Sequence, residues 1–292
     1  MGSEPRTASD DAVEHSAGYI TFTSQAYAAT NDDAATREAV EWLEAQSVHP
    51  FLRDVATRSL ARMDLQRGES VLDVGCGTGV FLPGLAALVG SEGRVVGLDH
   101  SPAFLEESQK RLADASLADQ VELVEGDAHN LPFADATFDA VHCERVLMHL
   151  EDPALALREM QRVVRPGGRV LVAEVYAAGA RMDHPDPEAE KLISAGLVSG
   201  IRNTSMGIAL RGLFVQTGFT DVGGEVVGFF EESLDEDEAE EWTVVARGLV
   251  ARGVLDAARA EAAIAAMQDR RAAGTHCGTG LIFVVSGRVA GA

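Results

Sequence analysis

The sequence predicts an α/β fold, in which a doubly wound, mostly parallel sheet of seven strands carries helices on both faces. Short apolar stretches alternate with helix-length segments over residues 71–175, as parallel strands joined by crossover helices require. The first stretch runs directly into a glycine-rich turn, which is typical of a strand–turn–helix unit that binds a ligand. Two later apolar stretches near the end of the chain complete the predicted sheet.

The individual elements follow from apolar patterning and from end signals. Ser101 and Asp152 each precede a proline and predict helix starts, because such side chains cap the first turn and proline fits there. Gly274 predicts the end of an alanine-rich helix, and Ser233 followed by Glu236 has capping-box spacing. The predicted strands cover 71–74, 95–98, 121–124, 138–143, 170–175, about 222–230 and 281–286. The predicted helices cover 34–46, 50–63, 80–89, 102–113, 153–164, 186–201, 206–217 and 256–273, with one more at the acidic run 235–241.

These elements suggest three segments within one structural domain. Residues 1–65 are expected to form an N-terminal arm and helices, and the first part of this arm is a candidate lid. Residues 66–176 are expected to form the ligand-binding core. Residues 177–292 are expected to supply helices on the substrate side and the last two strands of the same sheet.

Composition limits the partners of this 292-residue chain. Its formal net charge of −22 argues against a nucleic acid, which needs clustered lysine and arginine. No apolar run approaches the roughly 20 residues of a membrane span, and the polar start lacks the layout of a signal peptide. The three cysteines are far apart and lack metal-ligand spacing, so we expect a reduced, cytoplasmic protein without a metal. A small-molecule substrate is expected, and self-association stays open.

The most informative stretch is Asp73-Val-Gly-Cys-Gly-Thr-Gly79. Alternate glycines let a ligand approach the main chain closely, and the following helix start suits an anion. Val80 stands where the dinucleotide fingerprint needs a third glycine, and the lysine of a P-loop is absent. Further on, the apolar stretch 95–98 ends at Asp99, where a carboxylate could accept from two ribose hydroxyls.

Three blocks carry a resemblance to a known family: VLDVGCGTG at 71–79, GDAHNLPFADATFDAV at 126–141, and ERVLMHLEDPALALREMQRVVRPGGRVLVAE at 144–174. Residues 68–175 resemble the core of class I S-adenosylmethionine-dependent methyltransferases. The similarity is to the group that contains ubiquinone and menaquinone biosynthesis enzymes and bacterial natural-product methyltransferases. The resemblance implies S-adenosylmethionine as cofactor and a Rossmann-like methyltransferase sheet with two late strands.

The resemblance also implies roles for particular residues. The turn would lie against the methionine part of the cofactor, Asp73 would face its ammonium, and Asp99 would bind the ribose. Several further residues would line the adenine or the sulfonium. The implied cofactor-binding set is Asp73, Gly75, Cys76, Gly77, Thr78, Asp99, His100, Asp127, Ala128, Glu144 and Arg145, joined by Tyr19 and Tyr27 if the arm is a lid.

Methyl transfer itself needs little besides alignment and exclusion of water, and a base only if the acceptor must lose a proton. His149 and Glu174 are the candidates for that base, because His149 follows the fourth predicted strand and Glu174 ends the fifth, both at the carboxyl edge of the predicted sheet. Each also has a structural interpretation, since His149 belongs to a pattern found with unlike substrates and Glu174 could bind a loop N–H.

The sequence therefore predicts a methyltransferase that acts on a small molecule at carbon, oxygen or nitrogen, in specialised metabolism, by direct in-line displacement. A quinone-ring methyltransferase of a housekeeping pathway is the alternative within the same class. A protein that binds S-adenosylmethionine without catalysis is the alternative from another class. A nicotinamide oxidoreductase ranks third, because of Val80.

Overall fold

The computed structural model describes residues 34–291. The helices are α1 (Ala34–Val48), α2 (Pro50–Met63), α3 (Leu82–Val89), α4 (Pro102–Asp114), α5 (Pro153–Val163), α6 (Pro187–Leu197), α7 (Met206–Thr217), α8 (Glu236–Ala251) and α9 (Ala257–Ala273). The strands are β1 (Ser70–Val74), β2 (Arg94–Asp99), β3 (Val121–Glu125), β4 (Phe138–Glu144), β5 (Val164–Val175), β6 (Arg181–Met182), β7 (Thr220–Glu231) and β8 (Gly278–Arg288).

The strands form one sheet in the order β3-β2-β1-β4-β5-β8-β6, and β7 pairs with β8. Neighbouring strands from β3 to β5 are parallel, whereas β8 runs antiparallel to β5. The strand order reverses between β1 and β4, and such a switch point opens a crevice at the carboxyl ends of the strands. The predicted fold class is confirmed. The strand beyond the predicted seven is β6, whose two residues are too short to show a pattern.

Contacts between residues divide the described chain into two compact units, and the larger one contains the ligand-binding core. It comprises the described residues up to Gly179, then Ile201–Phe229 and the residues from Gly280 to 291. Strands β1, β4 and β5 form its centre, because their mainly apolar side chains are buried on both faces as in other covered parallel sheets. Fully buried side chains of this centre include Val71, Leu72, Val74, Val141, Val170 and Val172.

The smaller unit comprises Ala180–Gly200 and Phe230–Thr279. Its helices α6, α8 and α9 pack around Trp242, which is buried. His184 lies with its Nε2 atom 3.0 Å from the carbonyl oxygen of Ala263, so a loop is tied to α9. Arg259 donates two hydrogen bonds of 2.6 Å to Asp186, the residue that caps α6. This unit therefore has a hydrophobic core and polar ties of its own.

The predicted segment boundaries at 65 and 176 stay a prediction. The third predicted segment, 177–292, contributes residues to both units. Helix ends within it also differ from expectation, since α6 ends at Leu197 rather than at 201.

The predicted capping box at Ser233 and Glu236 is wrong by two residues. The box belongs to Asp235 and Glu238: Glu238 N donates to Asp235 Oδ1 over 2.8 Å, and Asp235 N donates to Glu238 Oε2 over 2.9 Å. Aspartate caps as well as serine does, and Leu234 is buried just before it. Helix α8 therefore begins after this buried leucine, and its cap lies two residues later than the pattern at Ser233 predicts.

Within residues 34–291, no helix is long and apolar enough to cross a membrane. The three cysteines are free thiols. Among the same residues, no group of three or more histidine, cysteine, aspartate or glutamate side chains has an arrangement that could hold a metal ion.

Candidate cofactor-binding site

The glycine turn follows β1 and is fixed to the next strand by its backbone. The amides of Gly75 and Cys76 both donate to the carbonyl oxygen of Leu98 on β2, over 2.7 and 3.0 Å. Gly75, Gly77 and Gly79 have φ angles of 71°, 55° and 78°. These are left-handed conformations that residues with a side chain adopt only at a cost. The glycines are therefore required by the shape of the turn.

The three glycines differ in what surrounds them. A Cβ atom at Gly75 would lie 2.3 Å from Val146, and one at Gly79 would lie 2.8 Å from the Ser108 hydroxyl. At Gly77 the nearest atom to such a Cβ is a methyl carbon of Leu43, at 3.8 Å. Gly75 and Gly79 thus allow close packing within the protein. Gly77 leaves open room beside the turn, where a ligand can approach the main chain.

Asp99, the last residue of β2, is buried and engages the turn directly. Gly77 N donates to its Oδ2 atom and Ser101 N donates to its Oδ1 atom, both over 2.9 Å. A carboxylate has about four acceptor positions, so capacity remains for the two ribose hydroxyls that the resemblance implies. His100 is more exposed, with Nδ1 3.3 Å from Asp99 Oδ1. This geometry fits the predicted roles of both residues.

Asp127 and Ala128 lie in the loop after β3, which is tied to Asp99 because Gly126 N donates to the Asp99 carbonyl oxygen over 2.9 Å. The Asp127 carboxylate is exposed and accepts from His129 N over 2.8 Å. Partial burial raises the pKa of Asp127, but the hydrogen bonds from His129 outweigh this effect and lower it. The charged carboxylate is accessible to a donor such as an adenine amino group.

Asp73 occupies the end of β1 directly below the turn and is paired with a histidine. Its Oδ1 atom lies 2.8 Å from Nδ1 of His142, the neighbouring residue on β4, and both side chains are buried. Its other oxygen, Oδ2, is buried and has no hydrogen-bond partner in the described part of the chain. A buried carboxylate oxygen without a partner is costly, so Oδ2 is suited to a donor that a ligand brings.

Glu144 and Arg145 follow at the end of β4. Burial raises the pKa of Glu144, against the opposing charge of Arg145, whose Nε atom lies 3.5 Å from Glu144 Oε1. Arg145 has a φ angle of 56°, a left-handed conformation that is uncommon for a residue other than glycine. Its amide donates to the carbonyl oxygen of Ala173 over 2.8 Å. Such backbone strain concentrates at functional sites.

Glu174 on β5 is fully buried and holds the loop after β4. Its Oε1 atom accepts from the amides of Val146 and Leu147 over 2.9 and 2.5 Å. Burial raises the pKa of Glu174 to about 8, in spite of these hydrogen bonds. The carboxyl group is thus mainly protonated at neutral pH. This geometry favours loop positioning over the predicted role as a base.

His149 lies in the same loop, with its amide donating to the Val146 carbonyl oxygen over 2.9 Å. Loss of hydration lowers the pKa of His149 to about 3, and the charge of Arg145 contributes in the same direction. The imidazole is therefore neutral over the physiological range. An imidazole whose pKa is this low is a weak base at neutral pH, so the low pKa argues against the predicted role of His149 as a base, which stays a prediction.

Two helices that the sequence did not connect with the site hold the turn in place. Arg111 on α4 donates to the Thr78 carbonyl oxygen over 2.8 Å and to both carboxylate oxygens of Glu44 on α1 over 2.6 Å. Ser108 donates to the Gly77 carbonyl oxygen over 2.8 Å. Arg111 thus links α1 to the glycine turn. Side chains from such distant positions give no local signal in the sequence.

The structure brings most of the predicted cofactor residues to one edge of the sheet. The turn follows β1, and Asp99, Asp127 and Glu144 end or follow neighbouring strands. Tyr19 and Tyr27 lie outside the described residues, so their role stays a prediction. Besides the residues of α1 and α4, sequence reasoning missed the pairing of His142 with Asp73. The one signal of His142 was a polar residue between the apolar residues Val141 and Cys143 of a predicted strand.

The residues present fit S-adenosylmethionine. The unpartnered Asp73 Oδ2 atom suits the ammonium group, the room beside Gly77 suits the methionine chain, and Asp99 suits the ribose. Their combination around one turn matches the donors and acceptors of this cofactor.

Comparisons with known proteins agree with this fit. Residues 72–172 match the model of a family described as "Methyltransferase domain". A demethylmenaquinone methyltransferase from Geobacillus sp. (strain WCH70) is 41% identical over 130 residues, which are 44% of this chain and 55% of the relative. An uncharacterised 37.1 kDa protein in transposon TN4556 of Streptomyces fradiae is 36% identical over 188 residues, 64% of this chain and 54% of the relative. The chain spans about half the length of the curated relatives it matches.

Solved structures show the same fold at lower identity. The YcgJ protein from Bacillus subtilis has a TM-score of 0.57 at 18% identity, over 82% of this chain and all of its own. The [4+2]-cyclase SpnF has a TM-score of 0.52 at 21% identity, over 82% of each chain. These likenesses concern the fold, while the family match concerns the glycine turn and the strands around it. Residues 72–172 therefore carry a class I S-adenosylmethionine-dependent methyltransferase domain.

Proposed function

We propose that the protein transfers the methyl group of S-adenosylmethionine to a small-molecule acceptor. The observation that carries the proposal is the arrangement at the glycine turn. Asp99 engages the turn, and Asp73 presents a buried oxygen without a partner among the described residues. A charged ammonium and two ribose hydroxyls are the groups that these acids are suited to bind.

The chemistry needs positioning more than acid or base strength. The bound cofactor supplies a sulfonium methyl group, which is already an activated electrophile. The protein holds both reactants in line, and orientation of this kind contributes about 7–11 kcal/mol to barrier lowering. Glu174 supports this by fixing the loop that contains Val146 and Leu147. Direct in-line displacement follows as the simplest mechanism.

Neither of the two predicted base candidates, His149 and Glu174, has the properties of a strong base at neutral pH. The low pKa of His149 leaves the imidazole neutral but weakly basic, so it is suited to accept a hydrogen bond from a bound acceptor rather than to remove its proton. Glu174 is protonated at neutral pH and bonded to backbone amides. We therefore assign hydrogen-bond acceptance to His149 and loop positioning to Glu174, and neither is assigned the role of a strong base.

Specialised metabolism is the proposed setting. The demethylmenaquinone methyltransferases match 44% of this chain, so the remainder is free to recognise a different acceptor. The smaller unit builds a separate hydrophobic core from α6, α8 and α9. A transposon-borne relative is consistent with an accessory role. Ring methylation of a quinone is the competing proposal within the same reaction class.

Transfer of a labelled methyl group tests the proposal. The full chain is incubated with methyl-labelled S-adenosylmethionine and a panel of phenols, amines, carbon acids and demethylmenaquinone. Label in a small-molecule product, absent with Asp99→Ala, is the expected result. If menaquinone, formed from demethylmenaquinone, is the sole labelled product, the competing proposal of quinone methylation would be supported instead.

A cofactor-binding protein without methyl transfer is the second candidate. The observation that favours it is the solved structure of a [4+2]-cyclase, which has this fold and shows that the fold alone does not determine the reaction. Tight cofactor binding with no labelled product from any acceptor would support this candidate over methyl transfer.

A further inference from the structure

The strongest feature beyond the proposed function is the buried pair of Asp73 and His142. The two residues are direct neighbours on the parallel strands β1 and β4. Their side chains meet with Nδ1 of His142 2.8 Å from Oδ1 of Asp73, and their exposed fractions are 0% and 2% respectively. The side chain of His142 has no contact with solvent, so hydration does not explain why this position of β4 carries a polar residue. Its orientation is set by the aspartate.

The unpartnered atoms of the pair indicate its protonation state. Asp73 Oδ2 and His142 Nε2 are both buried, and neither has a hydrogen-bond partner in residues 34–291. A neutral imidazole that donates from Nδ1 leaves an unpaired acceptor at Nε2, whereas a protonated one leaves an unpaired N–H donor on a charged ring. The latter carries the larger desolvation cost. Burial therefore disfavours the imidazolium, whereas the adjacent Asp73 carboxylate stabilises it, so a neutral His142 that donates from Nδ1 is the form expected above the pKa of this histidine.

The groups around the pair leave Asp73 as the centre of negative charge. The Phe81 ring lies 4.5 Å from the His142 ring, between ring centres, and Leu171 is its apolar neighbour on β5. Three titratable groups act electrostatically on Asp73 or receive its influence: Glu144, Cys76 and Cys143. Burial raises the pKa of each of them, which favours their neutral forms.

We propose that His142 is a positioning residue, which holds one oxygen of Asp73 and leaves the other for the ammonium group of the cofactor, so that proton uptake by this pair weakens cofactor binding. The inference rests on the proposed function, because it takes the ligand of Asp73 to be S-adenosylmethionine. It adds a residue and a pH response that the methyltransferase fold alone does not supply.

The direction of the pH response follows from the charges. Burial lowers the pKa of His142, but the charge and hydrogen bond of Asp73 outweigh this and raise it above the ordinary value. Above that pKa, His142 is neutral and the pair carries one negative charge. Below it, the imidazolium cancels the charge of Asp73. Affinity for a cationic ammonium therefore falls as the pH falls through the raised pKa of His142.

The test compares two probes on the full chain. S-adenosylhomocysteine contains the amino-acid part, and methylthioadenosine lacks it. His142→Leu removes the donor, whereas His142→Asn retains an N–H donor that does not titrate. His276→Asn is the matched control, because His276 is also buried but belongs to the smaller unit. Calorimetric dissociation constants for both probes are measured at pH 6 to 9.

At pH 8.5 we expect His142→Leu to weaken S-adenosylhomocysteine binding about tenfold, and His142→Asn to restore most of it. Methylthioadenosine affinity stays unchanged in all variants, which a merely structural defect would not allow. The ratio of wild-type to His142→Asn affinity for S-adenosylhomocysteine falls towards low pH, while His276→Asn follows the wild type.

Equal losses for both probes, an unchanged affinity in His142→Leu, or a ratio that is flat with pH would each overturn the inference. Such results would leave the proposed function intact, since the wild type would still bind S-adenosylhomocysteine. Absence of binding of both probes to the wild type would instead contradict the proposed function itself.

Discussion

The acidic side chains at the carboxyl edge of the sheet have different surroundings on β1 and β2 than on β4 and β5. On β1 and β2, Asp73 and Asp99 accept hydrogen bonds from a histidine and from backbone amides of the turn and the next helix. On β4 and β5, Glu144 and Glu174 are buried, and burial raises the pKa of both. Arg145 is the cation that lies within ion-pair distance of Glu144.

The difference teaches that position at a sheet edge does not determine the task of a carboxyl group. The groups around Asp73 and Asp99 fix these carboxylates by hydrogen bonds, and carboxylate oxygens are the acceptors that a cationic, hydroxyl-bearing cofactor needs. The lower hydration around Glu144 and Glu174 favours their neutral forms. One half of the edge is thus arranged to bind a charged ligand, and the other half is arranged to shape a loop with little added charge.

The largest expected effect on ligand binding concerns Asp99, in the half of the sheet edge formed by β1 and β2. Asp99→Ala should weaken S-adenosylhomocysteine binding about a hundredfold, because two charge-assisted hydrogen bonds to ribose are lost. Asp99→Asn should lose about tenfold, since it still offers an acceptor to the turn. Asp114→Ala, an exposed acid at the end of α4, is the control. Equal calorimetric affinities for Asp99→Ala and Asp114→Ala would break the comparison.

An effect on stability is expected from Glu174, in the half of the sheet edge formed by β4 and β5. The pKa of Glu174 is about 8 in the folded protein, above its ordinary value of 4.5. Its stability contribution is therefore complete below about pH 4.5 and lost as the pH rises towards 8. Glu174→Gln removes this titration and keeps an acceptor for the loop amides. Between pH 5 and 8, the wild type should lose about 3–4 kcal/mol of unfolding free energy relative to the variant.

Chemical denaturation at several pH values measures this difference. Glu92→Gln, at an exposed carboxyl group, serves as the control and should run parallel to the wild type. Parallel curves for Glu174→Gln and the wild type would show that Glu174 is ionised in the fold. The two halves of the edge would then not differ.

The smallest expected effect sharpens the role of α1. Glu44→Gln weakens the link from α1 through Arg111 to the Thr78 carbonyl oxygen. The pair is partly exposed, so its contribution is at most about 1 kcal/mol, and S-adenosylhomocysteine should dissociate about fivefold faster in stopped-flow measurements. Glu41→Gln changes an exposed acid on the same helix and should leave the rate unaltered. Identical rates for both variants would separate α1 from the site.

Much of the fold could be predicted because its signals are local. The apolar strands, the proline after Ser101 and the glycine after α9 each determine structure within a few residues. The edge position of Asp99 follows from the same patterns, since parallel strands end at a common edge. Secondary structure and the glycine turn were therefore readable before the structure was known.

The remainder depends on contacts between distant residues. The pairing of His142 with Asp73 joins residues 69 positions apart, and that of Arg111 with Glu44 joins residues 67 apart. The loop-holding role of Glu174 needs the register between β4 and β5. A single sequence gives the polar residue in each case but not its partner. The role of His149 stays a prediction, and so do the roles of Tyr19 and Tyr27, which lie outside the described residues.

The central claim is that the glycine turn with Asp73 and Asp99 binds S-adenosylmethionine. Calorimetric titration of the full chain with S-adenosylhomocysteine and, separately, with NAD tests it most directly. We predict binding of S-adenosylhomocysteine with a Kd on the order of micromolar and no heat with NAD. Binding of NAD in preference, or no binding of S-adenosylhomocysteine, would contradict the account.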